Sequence, residues 1–329
     1  MTALLGNAAA HAAFLAALQS GSLHHAWLLA GPEGVGKAAF ADRIARLMLA
    51  QAADPTLPNG LDVPAGHRTS ALMDAGSHPD FRLLSRLPKD AEKPEGELAR
   101  SITIAQVRTL QPLFATLPSM SSRRVVVIDA IDDLERNGAN ALLKNLEEPP
   151  AGTIFLLVSH TPGKLLPTIR SRCRLLRFER LRDDDVATVL RTVLPEAEDR
   201  EIEALIAAAD GAPGRGLRFA GLDLSEVDQA IAAIAGDGDP DNRRRAALGK
   251  KLAGKIAQLR YEAFLDRVPA YIARAARMRS GQGLRIALDA HAAARDLAGA
   301  ARGLSLDPQG TVIEMAGLVA RLHDAAAMD

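Results

Sequence analysis

An apolar pentapeptide, AWLLA at 26–30, runs directly into GPEGVGK at 31–37 and then into AAFADRIARLMLA, whose pattern is helical. A buried strand, a glycine-rich turn and a helix in that order constrain the fold more than any other feature of the chain. They form the first half of a crossover unit, which returns the next strand parallel to the first. The turn nearly matches the phosphate loop G-x-x-x-x-G-K followed by Ser or Thr. Gly31, Gly34, Gly36 and Lys37 supply the glycines and the lysine. Glycines let backbone N–H groups turn inward around phosphates, and the helix N-terminus adds a favourable dipole. Lys37 is placed to reach the terminal phosphates. Position 38 is alanine, so the hydroxyl that would hold Mg²⁺ is missing. The plain alternative is a turn that merely joins strand to helix. The context favours a loop of nucleotide-binding descent without a competent catalytic site.

The same alternation continues. RVVVIDA (124–130) and TIFLLVSH (153–160) read as strong strands, DFRLL (80–84) and CRLLRF (173–178) as weaker ones. NGANALLKNLEE (137–148) reads as a helix stopped by Pro149 and Pro150. Strands alternating with helices predict a parallel sheet covered on both faces. The polar stretches 51–79 and 87–97 read as surface excursions. Beyond about Arg180 strand signals vanish and the pattern is helical, broken at GAPGRG (211–216) and GDGDPDN (236–242).

Composition narrows the class. Apolar residues make up 48% of the 329 positions and aromatics only 3%, so the cores are expected to rest on Ala, Leu, Ile and Val. Lys plus Arg and Asp plus Glu both number 40, which removes any bulk electrostatic argument for nucleic acid or anionic membrane. Cys173 is the single cysteine, so an intrachain disulfide is excluded and a reducing cytoplasm fits. The first twenty residues lack a basic residue before their apolar stretch. Leu4, Phe14, Leu15 and Leu18 suit one helix face better than a signal peptide. No segment reaches the roughly 20 apolar residues of a membrane span.

Asp129 ends the strand VVVID, where P-loop ATPases keep the acid that supports Mg²⁺. Ala130 stands where many carry the water-orienting acid. Two catalytic groups are thus missing at two separate points. Asp132 and Asp133 read as helix caps. Arginines crowd 170–182, at 170, 172, 174, 177, 180 and 182. They form either a solvated strand edge or a place where one guanidinium serves a neighbour's phosphate. His24, His25, His67 and His78 show no metal-ligand spacing, and no metal is expected. Flanking arginines are expected to lower the Cys173 pKa, yet the residue reads as core. The basic stretch 241–260 reads first as a solvated face, then as a subunit contact, then as a DNA-facing surface.

SHPDF, ITIAQVRTL, ANALLKNLEEPP, TIRSRC and GAPGRGL, together with the loop and its strands, resemble the AAA+ clamp-loader family of bacterial DNA polymerase III, in its delta-prime branch. The resemblance covers most of residues 20–220. It implies an α/β AAA+ P-loop parallel-sheet domain at 1–180, a small helical lid at 181–223 and an all-α collar at 224–329. It also implies a stator that requires no cofactor, binds ATP and Mg²⁺ weakly or not at all, and hydrolyses none. The implied partners are a motor subunit, a clamp-opening delta subunit, the sliding clamp and, through the assembled ring, primed DNA. Within the motif SRC the resemblance makes Arg172 an arginine finger donated in trans. It places Arg215 where active relatives carry a nucleotide-sensing arginine. Many relatives carry a cysteine-ligated zinc module after the first helix of the P-loop. Residues 51–79 contain no cysteine, so no zinc is carried over. The competing functions are an ATP-hydrolysing motor subunit, which wants a hydroxyl at 38 and an acid at 130, and a small-molecule P-loop kinase, which leaves SRC and the helical tail unexplained.

Overall fold

The computed structural model describes residues 5–326 except 58, 59, 61, 94 and 95. Leu4, assigned above to a helix face, lies outside the described residues. The chain divides into two compact units, the first ending at Arg182 and the second beginning at Asp183.

The first unit is built on five strands: β1 (Ala26–Ala30), β2 (Phe81–Ser85), β3 (Arg124–Asp129), β4 (Thr153–Ser159) and β5 (Arg174–Arg177). All four pairings are parallel and the order is β2-β3-β4-β1-β5. The strands expected from sequence therefore form within a residue or two of their expected bounds. Around them lie α1 (Ala8–Gln19), α2 (Lys37–Ala53), α3 (Arg68–Asp74), α4 (Ile104–Arg108), α5 (Leu110–Phe114), α6 (Arg136–Glu147) and α7 (Pro167–Arg170).

Every residue of β1 and β4 is buried, which requires cover on both faces. Alternation sorts the side chains. Ala26, Leu28 and Ala30 of β1, Val126 and Ile128 of β3, and Phe155 and Leu157 of β4 share one core with Leu142 and Leu146 of α6. Trp27 faces the other way, 4.8 Å from the Phe14 ring of α1. Phe40 of α2 meets Phe14 and Phe178 edge-on at 5.8 and 5.3 Å. Four of the eleven aromatics of this chain thus cluster behind β1, adding rings to a core expected to rest on Ala, Leu, Ile and Val. Such ring pairs add about 0.5–1.5 kcal/mol each beyond area burial.

The excursion at 51–79 is less superficial than its composition predicts. Helix α3 lies within it, and Thr69, Ser70 and Met73 are buried. Arg46 of α2 ties it down, donating to Ser70 O at 3.1 Å and to Asp74 Oδ1 at 2.8 Å. Asp80 of SHPDF is fully buried and accepts the backbone N–H groups of Ser119 and Met120 at 2.7 and 2.8 Å.

The second unit is all-α: α8 (Asp183–Val193), α9 (Asp199–Ala209), α10 (Pro213–Leu217), α11 (Ser225–Asp237), α12 (Arg243–Leu252), α13 (Gln258–Ala276), α14 (Gly281–Leu304) and α15 (Pro308–Ala326). Its core fits the alanine-rich composition. Ala287, Ala290, Ala294, Ala298 and Ala301 recur at helical spacing on α14 and are all buried, which lets neighbouring helices approach closely. Arg267 of α13 is buried, and its Nη1 pairs with Asp228 of α11 at 2.9 Å. The break at GDGDPDN is anchored by buried Asp239, which accepts the N–H groups of Arg244 and Arg245 at 3.0 and 3.1 Å.

One contact in the first unit sets the distance between strands at the loop. A Cβ built on Gly31 falls 2.2 Å from the carbonyl oxygen of Phe178. Phe178 N–H in turn donates to Ala30 O at 2.8 Å. Gly31→Ala must push β5 and the chain after it away from β1. We expect a loss of about 1–3 kcal/mol, as for other overpacked sites. Gly163→Ala, where no atom lies within 4 Å, is the control and shifts stability by less than about 0.5 kcal/mol. Denaturant unfolding followed by the fluorescence of Trp27, the only tryptophan, measures both.

Candidate functional site

The glycine loop follows the C-terminal end of β1 and opens α2, the position at which ligands meet a parallel sheet. Gly34 and Gly36 hold φ of 79° and 103°, which a side chain disfavours. Gly31 works differently. Its N–H donates to Ser159 O at 3.2 Å, so it joins the loop to the end of β4.

Lys37 is 2% exposed. Its Nζ donates to Gly31 O at 2.7 Å and to Pro32 O at 2.5 Å. The ammonium thus turns onto the loop's own carbonyls. Burial pushes its pKa down from 10.5 to about 8, and the charges of Asp129, Asp132 and Glu33 oppose that fall. Asp129 ends β3. Burial pushes its pKa up, while His160 and Lys37 hold it down. Ala38, the second residue of α2, is exposed, and Ala130 follows Asp129 in buried backbone. The structure therefore brings Gly31, Gly34, Gly36, Lys37 and Asp129 together, with methyl groups at the two positions where phosphoryl transfer wants a metal ligand and a water-orienting acid.

Asp132 is the residue of this edge that sequence reasoning misread. It caps no helix. It accepts from Ser159 Oγ at 2.9 Å, His160 N at 2.6 Å, and Thr161 N and Oγ1 at 3.0 and 2.8 Å. Burial alone would raise its pKa, but these hydrogen bonds outweigh burial and hold it below the ordinary value. The helix that follows, α6, has Glu135 at its N-cap with no side-chain cap bond. Asp133 pairs with Arg86 Nε at 3.0 Å. Nothing local in IDD signals either bond, because the donors lie at the ends of β4 and β2.

Arg172 sits between α7 and β5. Trp27 is level with Arg174, so Arg172 lies beside the start of β1, whereas the glycine loop lies beyond its end. The five residues of β1 separate the two edges by about 17 Å. The Arg172 side chain is 33% exposed. Its Nη2 is 2.7 Å from Glu147 Oε1, and its Nη1 donates to Thr168 O at 2.9 Å. Arg174 has another task, its guanidinium lying 5.1 Å over the Trp27 ring. Cys173 packs against the core, and burial pushes its thiol up to about 12. The expected lowering by neighbouring arginines does not occur, because burial of the thiol dominates.

Arg215 belongs to the second unit. Its Nη1 pairs with Asp210 at 3.5 Å and its Nη2 with Asp266 at 3.3 Å. The basic stretch at 241–260 is largely paired. Arg243 meets Asp241 at 3.0 Å, Arg244 meets Asp237 at 2.7 Å, Arg245 meets Asp239 at 3.2 Å, and Lys251 meets Glu226. These ion pairs fit a solvated face. His24 and His25 stack at 4.4 Å, and His67 Nδ1 caps α3 through Thr69 N. Among the described residues no group of three or more His, Cys, Asp and Glu is placed to hold a metal ion. No helix among them is long and apolar enough to cross a membrane.

The Lys37 pKa makes stability depend on pH. Below pH 8 both folded and unfolded chains hold the proton, so the cost of burying the ammonium is fully present. Between about 8 and 10.5 the unfolded chain holds more protons, and stability rises with pH. Lys37→Met lacks this group. From pH 7 to 9.5 the stability difference must shift in favour of the wild type. A difference that stays flat across denaturation curves at those pH values contradicts the buried ammonium.

The family model described as DNA polymerase III, delta subunit, matches residues 6–182. The DNA polymerase III subunit delta' of Pseudomonas aeruginosa is 35% identical over 202 residues, 61% of this chain and 57% of that protein. The DNA polymerase III subunit tau of Salmonella typhimurium is 33% identical over 253 residues, 76% of this chain and 35% of that protein. The matched part thus spans between about a third and three fifths of these relatives' own length. A solved gamma subunit-related protein of Thermotoga maritima aligns with a TM-score of 0.44 at 14% identity, over 94% of this chain and 99% of that one. With a five-stranded parallel sheet carrying its glycine loop after β1, an all-α second unit and a family match over more than half its length, the chain belongs to the DNA polymerase III delta-subunit family.

Proposed function

We propose that this chain is the non-hydrolysing stator of a clamp loader, of the delta-prime type, and that Arg172 completes an ATP site on the adjacent motor subunit. The observation that carries the reading is the position of Arg172. It is half-buried, at the edge of the sheet opposite its own glycine loop, too far to serve that loop. A finger donated in trans needs this arrangement: an arginine at a subunit edge, remote from the site of its own chain. The loop supports the reading from the other side. Ala38 and Ala130 remove two groups that hydrolysis depends on, and Lys37 is engaged with Gly31 and Pro32.

On this reading the chain requires no cofactor of its own, and ATP with Mg²⁺ binds its loop weakly or not at all. Residues 181–223 act as a small lid and 224–329 as the collar that joins the ring. The partners are the motor subunit, a clamp-opening delta subunit and, through the complex, the sliding clamp and primed DNA. The setting is the cytoplasm, where replication takes place. Arg215, held by Asp210 and Asp266, keeps a structural role within its unit. The alternative is an ATP-hydrolysing motor subunit, favoured by the retained Lys37 and Asp129.

The two readings separate in one series of measurements. The purified chain is expected to release no phosphate from ATP above the level of Lys37→Ala. Steady turnover abolished by Lys37→Ala establishes the motor reading instead. In a reconstituted ring, Arg172→Ala must assemble normally and load clamps poorly. Fingers of this kind are worth roughly 10³–10⁵ in rate at their own site. Total ATPase falls less, because other sites keep their fingers. Arg172→Lys does not rescue, since an ammonium lacks the planar fork. Wild-type clamp loading by an assembled Arg172→Ala ring refutes the stator reading of this residue.

A further inference from the structure

Three elements converge on the Arg172 guanidinium. Glu147 is the last residue of α6, Thr168 belongs to α7, and Arg172 itself lies between α7 and β5. Glu147 Oε1 forms an ion pair with Nη2 at 2.7 Å, Thr168 O accepts from Nη1 at 2.9 Å, and Ser171 Oγ lies 3.5 Å from Nη1. An ion pair to one element and a hydrogen bond to another restrain the guanidinium above the edge.

Glu147 is itself well fixed. Leu142 and Leu146 bury the preceding turns of α6 in the core, and the helix cannot run on through Pro149 and Pro150. The carboxylate therefore stands on a rigid helix end instead of a loop. The other arginines of this run differ. Arg174 lies over Trp27, and Arg170 and Arg177 are exposed. Stability gives no reason for the Glu147–Arg172 pair, because both side chains are substantially exposed and such pairs contribute little to folding.

We infer that Glu147 is a positioning residue for Arg172. It orders the guanidinium before the neighbouring subunit arrives, so that a phosphate meets a fork already aimed. An unrestrained arginine loses much rotamer freedom when it docks, and a pre-ordered one loses less. This inference rests on Arg172 acting on the phosphate of an ATP-hydrolysing neighbour.

The test uses the reconstituted ring with wild-type ATP-hydrolysing neighbours, clamp and primed DNA, and reads single-turnover clamp loading against ATP concentration. Glu147→Ala is expected to slow loading about tenfold at saturating ATP, a loss typical of misplaced groups, with the half-saturating ATP concentration unchanged. Glu147→Gln, which keeps an acceptor oxygen, retains most of the rate. Glu147→Ala added to Arg172→Ala slows loading no further. The isolated Glu147→Ala chain melts as the wild type does, which separates orientation from folding. A wild-type rate for Glu147→Ala beside a defective Arg172→Ala overturns this inference and leaves the finger standing. Additive losses in the double variant, or a shift confined to half-saturating ATP, also overturn it. A wild-type rate for Arg172→Ala removes the finger and this inference together.

Discussion

Residues 26–30 lie hydrogen-bonded between β4 and β5 with all five side chains buried, and both candidate edges take their place from that strand. Its C-terminal end delivers Gly31 under the Phe178 carbonyl and points the loop outward. Its N-terminal end is level with the approach to β5, where Arg172 stands. Burial on both faces is what fixes the strand. A one-residue slip would exchange Trp27 and Leu29 with Leu28 and Ala30, placing large side chains where small ones fit. The aromatic group of Phe14, Trp27, Phe40 and Phe178 resists such a slip, because its rings interlock from two helices, β1 and the residue after β5. A nucleotide-type edge and an arginine edge are thus held at a set separation by packing alone, with neither needing the other's chemistry.

That independence lets the loop keep its shape with alanine at 38 and 130. The positive φ of Gly34 and Gly36, the Gly31–Ser159 hydrogen bond and the burial of Lys37 are fold properties. Asp132, with four hydrogen bonds to the end of β4, locks the adjoining turn. Charge-assisted bonds of this kind are stronger than neutral ones and survive without any ligand. Lys37 satisfies its ammonium on two carbonyls, so the fold tolerates the lysine without a phosphate. A loop under these constraints keeps its shape for structural reasons, with or without turnover.

How much of this was readable from the sequence depends on the distance over which each interaction acts. Strands and helices of the first unit follow from apolar runs and local breakers, and AWLLA, VVVID and TIFLLVS form where their patterns say. The glycine loop and Arg172 follow from short motifs. What stayed hidden are pairings between residues remote in the chain. Asp132 reads as a cap because its donors at 159–161 are invisible in IDD. Glu147 reads as the polar end of a helix, since its partner lies 25 positions on. Flanking arginines suggest a lowered Cys173 pKa, yet the thiol packs against side chains remote in the chain and burial raises it. The pattern of charge at 241–260 suggests a basic face until its acids at 226, 237, 239 and 241 are brought beside it.

The two arginines singled out by motif illustrate what such pairing decides. Arg215 is held by two carboxylates, and one of them, Asp266, also takes Arg302 Nη2 at 2.7 Å. The Asp266 side chain is only 11% exposed, so removing a cation would leave a carboxylate in poor solvent. Arg215 is therefore part of the packing between α10 and α13. Arg172 has one carboxylate, which is itself half in water, and a backbone carbonyl on a helix of a single turn. Its partners orient it without binding it strongly. Of the two, Arg172 alone combines a defined direction with a side chain open to solvent, the combination that the proposed action on a neighbouring molecule requires.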